Sequence, residues 1–294
     1  MITKELIKDV TISILRRAET TLPSDVKAAL VRAYEREEHE IAKLQLEAML
    51  ENVRLAEELQ RPLCQDTGIP LFYVKLWSGN VNVNLRDIEG GIREGVQEAT
   101  NLIPLRSNVV DPITREGGGR NMGDRMPYIN YSIDSEVEGL EILGFPKGGG
   151  SENVSAFTML TPKPEEEAVK AIQKFVLETV VKAAGKPCPP TIIGVGVGGS
   201  ADIAMKLAKV AVLRPVGVRN KEDRIARAEE ELLRAVNSTG IGPMGLGGNT
   251  TALDVHIETA STHITSLPVA VNFQCWAARK AGAKISTDGR VEYV

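Results

Sequence analysis

The chain has 294 residues, of which 43% are hydrophobic and 25% charged, so it can bury a substantial core as an ordinary globular protein. Its 35 basic and 39 acidic residues give a formal net charge of −4, which argues against a surface for nucleic acid or anionic membranes. The N-terminus is charged from Lys4 and has no apolar signal-peptide core, so we expect a cytoplasmic protein without membrane contact.

The N-terminal region is predicted to be helical. Apolar residues recur at helical spacing from Thr3 to Glu19, and after a break at Pro23 a long helix is expected from Ser24 to about Leu59. The apolar face of the long helix is longer than one small core needs, which favours a role in dimerisation. We therefore interpret the whole chain as one domain, with a helical region of about 1–61 and an α/β body of about 62–294.

The body alternates strand-like and helix-like segments. Short apolar segments include YINYSID, LEILGF and VSAFTML, whereas EEEAVKAIQKFVLETVVKAA has helical spacing and acidic residues in its first turn. These patterns predict a mixed α/β (α+β) fold, in which mixed β-sheets are surrounded by helices.

The connection RPLCQDTGIP follows the long helix directly. Two prolines and Gly68 place Cys64, Gln65 and Asp66 on an irregular segment, and reactive side chains are often carried on such segments. Taken alone, the segment also fits a buried thiol beside a turn-forming carboxylate.

Two glycine-rich connections are candidates for ligand binding. KGGGSEN, residues 147–153, offers successive amides that can form a concave site for a carboxylate. GVGVGG, residues 194–199, matches GxGxxG, which makes a dinucleotide-binding oxidoreductase an alternative function. However, no Asp or Glu ends the next apolar segment, around Val210 to Val216, and close packing of a helix on a strand explains the glycines equally well.

Cys64, Cys188 and Cys275 are the three cysteines of the chain. Their odd number and the lack of a CxxC pair argue against a disulfide framework and a zinc ribbon. Three thiolates from distant parts of a chain can hold a [4Fe–4S] cluster and leave one iron open, although zinc or three buried free thiols fit the spacing as well. A non-enzymatic scaffold whose long helix pairs subunits is a further alternative.

Four segments together resemble the class I, iron–sulfur fumarate hydratases and the related L-tartrate dehydratases. In chain order they are RPLCQDTGIP, KGGGSEN, CPPTIIGVGVGGSADIAMKLAK and GPMGLGGNTTALDVHIE with THITSLPVAVNFQCWAARKA. The resemblance covers nearly the whole chain and implies the α subunit, or N-terminal half, of a [4Fe–4S]-dependent hydro-lyase. The implied reaction is reversible hydration of fumarate to malate, with L-tartrate dehydration as the alternative, and it requires a separate β subunit.

The resemblance also implies which residues act. It makes Cys64, Cys188 and Cys275 the ligands of a cluster with one open iron. It places around a dicarboxylate substrate Gln65, Asp66, Arg106, Gly149, Gly150 and His263. In this scheme Asp66 exchanges a proton with the leaving or attacking oxygen, and His263 helps to orient the substrate. His256, by contrast, is expected to be a structural histidine in a strand.

Overall fold

The computed structural model describes residues 2–77, 79, 83–135 and 138–294. The chain forms two compact units, each assembled from separate segments. The first unit comprises Met1–Pro23, Asn52–Gly149 and Arg279–Val294, and the second comprises Ser24–Glu51 and Gly150–Ala278. Each unit combines helices with a mixed β-sheet, which confirms the predicted fold class.

The elements follow one another in this order. The helices are α1 (Lys4–Thr20), α2 (Ser24–Arg36), α3 (Glu40–Leu59), α4 (Leu85–Leu102), α5 (Gly149–Glu152), α6 (Glu165–Ala183), α7 (Ala201–Ala211) and α8 (Asp223–Asn237). The strands are β1 (Ile69–Trp77), β2 (Tyr128–Asp134), β3 (Leu140–Lys147), β4 (Ala156–Leu160), β5 (Thr191–Gly198), β6 (Ala252–Ala260), β7 (Leu267–Gln274), β8 (Ala281–Ile285) and β9 (Val291–Tyr293).

The first unit contains a five-stranded sheet with the order β2-β1-β3-β8-β9. Strands β1 and β2 are parallel, and the other neighbours are antiparallel. Helices α1 and α4 pack together, with buried apolar residues such as Ile14 and Ile92 meeting Phe72 of the sheet in one core. Gly95 permits this approach, because a Cβ atom there would lie 2.6 Å from Cβ of Thr11.

The second unit contains a four-stranded sheet with the order β4-β7-β5-β6. Helices α6 and α8 contribute Val180 and Leu232 to the core on one face, and α7 packs against β5 and β7.

Two glycines of GxGxxG allow α7 to lie this close to the sheet. A Cβ atom at Gly194 or Gly196 would be about 2 Å from a backbone oxygen of α7. This confirms the packing explanation of these glycines and leaves the dinucleotide interpretation without its main support.

The predicted long N-terminal helix is confirmed in α3, but it begins at Glu40 rather than at Ser24. The carboxylate of Glu37, which is 2% exposed, accepts hydrogen bonds from the backbone N–H groups of Glu38 (3.2 Å) and His39 (3.1 Å). Its second oxygen accepts from the backbone N–H of Asn249 at 2.9 Å. Glu37 therefore fixes the non-helical segment that separates α3 from α2.

Among the described residues, no helix is both long enough and apolar enough to cross a bilayer. The interpretation of the chain as one functional domain stays a prediction.

Candidate functional site

The predicted turn lies in the first unit, between the end of α3 and the start of β1. Its N-terminal anchor is Leu63, which is buried and donates its backbone N–H to the carbonyl of Glu19 at 2.8 Å. Cys64 and Gln65 follow and are both exposed. Gly68 has a φ angle of +73°, which allows the chain to turn into β1. The turn therefore presents the thiol and the amide to solvent.

The carboxylate of Asp66 is held by hydrogen bonds from three directions. Its Oδ2 accepts from the backbone N–H of Gly149 at 2.7 Å. Its Oδ1 accepts from the backbone N–H of Gly68 at 2.9 Å and from Nδ2 of Asn108 at 3.1 Å. The structure thus brings together Asp66 and Gly149, two of the predicted site residues. Asn108 is not predicted from the sequence, where only its place two residues after Arg106 offers a signal.

Arg106 is fixed through its backbone rather than its side chain. Its N–H donates to Oγ1 of Thr67 at 3.0 Å, and its carbonyl accepts from Nδ2 of Asn121 at 3.0 Å. The exposed side chain is free to reach an anion in an open cleft of about 430 Å³. That cleft is lined by Pro62, Cys64, Gln65, Thr67, Pro104 and Arg106. Three predicted site residues therefore share one cleft of the first unit.

A buried ion pair underlies this turn. Nη1 of Arg279 donates to Oε2 of Glu19 at 3.1 Å and also to the backbone carbonyl of Asp66. Glu19 is 0% exposed and Arg279 is 1% exposed. Burial raises the pKa of the Glu19 carboxyl from 4.5 to about 7, although the Arg279 guanidinium opposes this shift.

The raised pKa of Glu19 should make the stability of the isolated chain depend on pH. Native Glu19 keeps its proton up to about pH 7, whereas the unfolded carboxyl loses it near pH 4.5. The stabilisation is therefore present below pH 4.5 and lost as the pH rises through 7, by up to about 3 kcal/mol. Urea unfolding from pH 4 to 8 should show the free energy of unfolding of the wild type falling relative to Glu19→Gln. The control is Glu5→Gln, an exposed position on the same helix; a constant difference between wild type and Glu19→Gln would contradict the assignment.

Cys188 and Cys275 lie at one edge of the sheet in the second unit, namely the edge where β5 begins and β7 ends. Cys188 precedes β5 and Cys275 follows β7, and these strands pair at Ile192 and Gln274. The N–H of Trp276 donates to the carbonyl of Cys188 at 3.2 Å, so the two cysteine segments are in contact. Gly150 lies against the same region, because a Cβ atom there would be 3.0 Å from the carbonyl oxygen of Lys186.

His263 lies in the connection between β6 and β7, at the opposite edge of that sheet. Ala260, which ends β6, pairs with Gly198 at the far end of β5. Eight residues of β5 separate the two edges by roughly 20 Å. The ring is exposed, with Nδ1 2.9 Å from Oγ1 of Thr265. The structure therefore does not bring His263 to the edge that carries Cys188 and Cys275.

His256 is a buried residue of β6, as the sequence predicted. Its Nδ1 lies 3.1 Å from the carbonyl oxygen of Ala211, and its Nε2 lies 3.1 Å from Oδ2 of Asp254. Burial alone would raise the pKa of Asp254, but hydrogen bonds from His256, Gly217 and Arg219 lower it below its ordinary value. These contacts tie β6 to the segment after α7 and give His256 a structural role.

The donor chemistry of the cysteines fits an iron–sulfur cluster. None of the three forms a disulfide bond, and each is at least partly accessible. Thiolates are the common ligands of such clusters, and a three-thiolate set leaves one iron open. Among the residues that the structure describes, no group of three or more His, Cys, Asp or Glu is already arranged to hold a metal ion.

Comparison with known proteins identifies the family. The sequence model of the fumarate hydratase (Fumerase) family matches residues 8–284. This chain belongs to the fumarate hydratase family. Membership confirms the resemblance found in the sequence motifs and makes the protein a hydro-lyase chain.

Relatives of this fumarate hydratase family member match over almost the same length. A Methanocaldococcus jannaschii protein, provisionally named L(+)-tartrate dehydratase subunit alpha, is 49% identical over 286 residues, or 97% of this chain and 99% of its own. Proteins of Escherichia coli and Shigella boydii named L(+)-tartrate dehydratase subunit alpha are each 34% identical over 269 residues. Those matches cover 92% of this chain and 87% of the relatives.

Proposed function

We propose that this chain is the α subunit of a [4Fe–4S]-dependent hydro-lyase that acts with a separate β subunit on a four-carbon dicarboxylate. The observation that carries the proposal is the cleft shared by Cys64, Gln65 and Arg106, beside the bonded pair of Asp66 and Gly149. A metal-binding thiol, a cation and a carboxylate that can carry a proton are groups suited to metal-assisted removal of water from a hydroxy acid.

Cys64, Cys188 and Cys275 would hold the cluster in this proposal. When bound, the cluster would supply a Lewis-acidic iron that polarises the carbon–oxygen bond of the substrate. The remaining steps belong to side chains and backbone groups of the two subunits.

Residues of the cleft, together with Asp66 and the glycine amides, would bind the substrate and move one proton. Arg106 would bind a substrate carboxylate through two parallel N–H donors. Gln65 and the amides at Gly149 and Gly150 would orient the polar groups of the substrate. Asp66 would give a proton to the departing hydroxide in dehydration and take one from water in hydration. The β subunit would supply further basic residues and the hydroxyl-bearing group that exchanges the carbon-bound proton.

His263 would serve in the site of a second copy. It lies roughly 20 Å from the sheet edge that carries Cys188 and Cys275, which a histidine side chain cannot span. In a dimer, His263 of each copy would enter the site of the other copy. This arrangement would agree both with the predicted role of His263 and with its position in the sheet. The proposal therefore includes the dimerisation predicted from the sequence.

Mixed dimers test this exchange of His263. Asp66→Asn and His263→Ala should each be inactive alone, whereas their co-expressed mixture should regain up to about a quarter of wild-type activity. The gain is expected because one of the two sites in a mixed dimer then has both wild-type residues. When the two variants carry different affinity tags, two-step purification isolates the mixed dimer, which should reach up to about half of wild-type activity, and wild type mixed with Asp66→Asn is the control. A mixed dimer without activity would refute the exchange.

The substrate has two candidates. Fumarate and malate follow from the sequence resemblance and the family description, whereas the names of the relatives favour L(+)-tartrate. Both substrates present two carboxylates and a departing hydroxyl to the same groups. Anaerobic assays of the reconstituted α/β pair with malate, fumarate and L(+)-tartrate should show turnover of at least one, and the larger kcat/KM identifies the substrate. High activity of the purified α chain alone, or none of the pair on all three, would refute the proposal.

A further inference from the structure

Glu19 and Arg279 form a fully buried ion pair whose purpose is not explained by the chemistry proposed above. The two residues are 260 positions apart in the sequence and meet at 3.1 Å. Nη1 of Arg279 also donates to the backbone carbonyl of Asp66. The pair therefore contacts the turn that carries the predicted site residues without reaching the cleft itself.

Stability is a weak explanation for this pair. Removing two charges from water costs several kcal/mol per ion, and apolar residues of similar volume often serve a core at least as well. The raised pKa of Glu19 is a sign of that cost. The structural role of such a buried pair is better explained by the segment that it positions.

Glu19 and Arg279 contact the turn at two points, Glu19 through its backbone and Arg279 through its side chain. The backbone carbonyl of Glu19 accepts the N–H of Leu63 at 2.8 Å, and Arg279 binds the carbonyl of Asp66. These two anchors bracket Cys64 and Gln65, whose side chains are exposed and line the cleft. The backbone is thus fixed on either side of the two residues that must present a thiol and an amide.

We propose that Glu19 and Arg279 are positioning residues that fix the turn Leu63–Asp66, and with it the thiol of Cys64 and the carboxylate of Asp66. The expected effect of these residues on kcat rests on the proposed function, whereas their ordering of the turn does not. Two readouts therefore test the inference, one without a cluster and one with it.

The first readout is hydrogen exchange of the α chain without cluster. Arg279→Met should accelerate amide exchange in peptides that cover residues 63–68 by about tenfold or more, because one anchor of the turn is lost. Arg279→Lys, which keeps the charge and one donor, should give a smaller increase. The matched control is Glu229→Gln, which weakens another ion pair, that of the fully buried Glu229 with the partly buried Arg214 at 2.6 Å, in the second unit. The control should leave these peptides unchanged.

The second readout is the kinetics of the reconstituted α/β pair. Arg279→Met should lower kcat by about 10²-fold, the loss expected from a small misplacement of reacting groups. Arg279→Lys should recover part of kcat, and Glu229→Gln should keep it. Unchanged exchange at residues 63–68 in Arg279→Met would overturn the inference, as would equal acceleration in Glu229→Gln. If the wild-type pair is inactive, the proposed function fails, while the exchange result still decides whether the pair orders the turn.

Discussion

Asp66→Asn should keep the cluster and lower kcat by about 10²- to 10⁴-fold, the usual contribution of a group that transfers a proton in the transition state. Asparagine preserves the size of the side chain and one oxygen acceptor, but it cannot carry the proton. Visible absorption and iron content should therefore match the wild type in anaerobic samples, while turnover with the β subunit is lost.

The matched control for this variant is Asp111→Asn. The carboxylate of Asp111 also accepts hydrogen bonds from backbone N–H groups, those of Ile113 at 2.8 Å and Thr114 at 2.7 Å. Asp111, however, is an exposed residue of the connection between α4 and β2. Its substitution should leave kcat within about twofold. An Asp66→Asn enzyme with wild-type kcat would remove Asp66 from the chemistry.

Replacing any one of Cys64, Cys188 or Cys275 by serine should abolish both the brown colour and the activity of the reconstituted protein. A Lewis-acid contribution of several kcal/mol corresponds to a loss of about 10³-fold or more in turnover. Iron and sulfide content after anaerobic reconstitution measures the first effect, and the coupled assay with the β subunit measures the second.

Gln65→Ala is the control for the cysteine variants, because Gln65 adjoins Cys64 and lines the same cleft. It should keep the cluster and raise KM, since it removes an orienting hydrogen bond rather than a ligand. A cysteine variant that retains a full cluster and full turnover would contradict its assignment as a ligand.

Sequence patterns predict the parts of the fold that depend on neighbouring residues. Helical spacing and glycine turns were enough to predict a mixed α/β chain, and the two glycines at 194 and 196 are used for helix packing, as one of the two interpretations held. The start of α3 was not predictable in the same way. Glu37 lies in a run of charges typical of a solvated surface, yet it is buried and accepts a hydrogen bond from the backbone N–H of Asn249, 212 positions away.

In the candidate site, too, the features set by neighbouring residues are predictable and those set by residues distant in sequence are not. The motif RPLCQDTGIP makes Cys64, Gln65 and Asp66 candidates, because those residue types and their turn are adjacent in sequence. The residues that hold them are distant in sequence: Asn108 lies 42 positions from Asp66, and Arg279 lies 260 positions from Glu19. Nor did the pattern around His263 show that it lies at the opposite sheet edge from Cys188 and Cys275, since that follows from strand pairing.

The most direct test is iron and acid-labile sulfide analysis of the α/β pair during anaerobic reconstitution, with hydro-lyase activity measured on the same samples. We expect a brown protein with about four irons and four sulfides per α chain, and activity that rises in proportion to cluster content. A colourless protein with full hydro-lyase activity would contradict it.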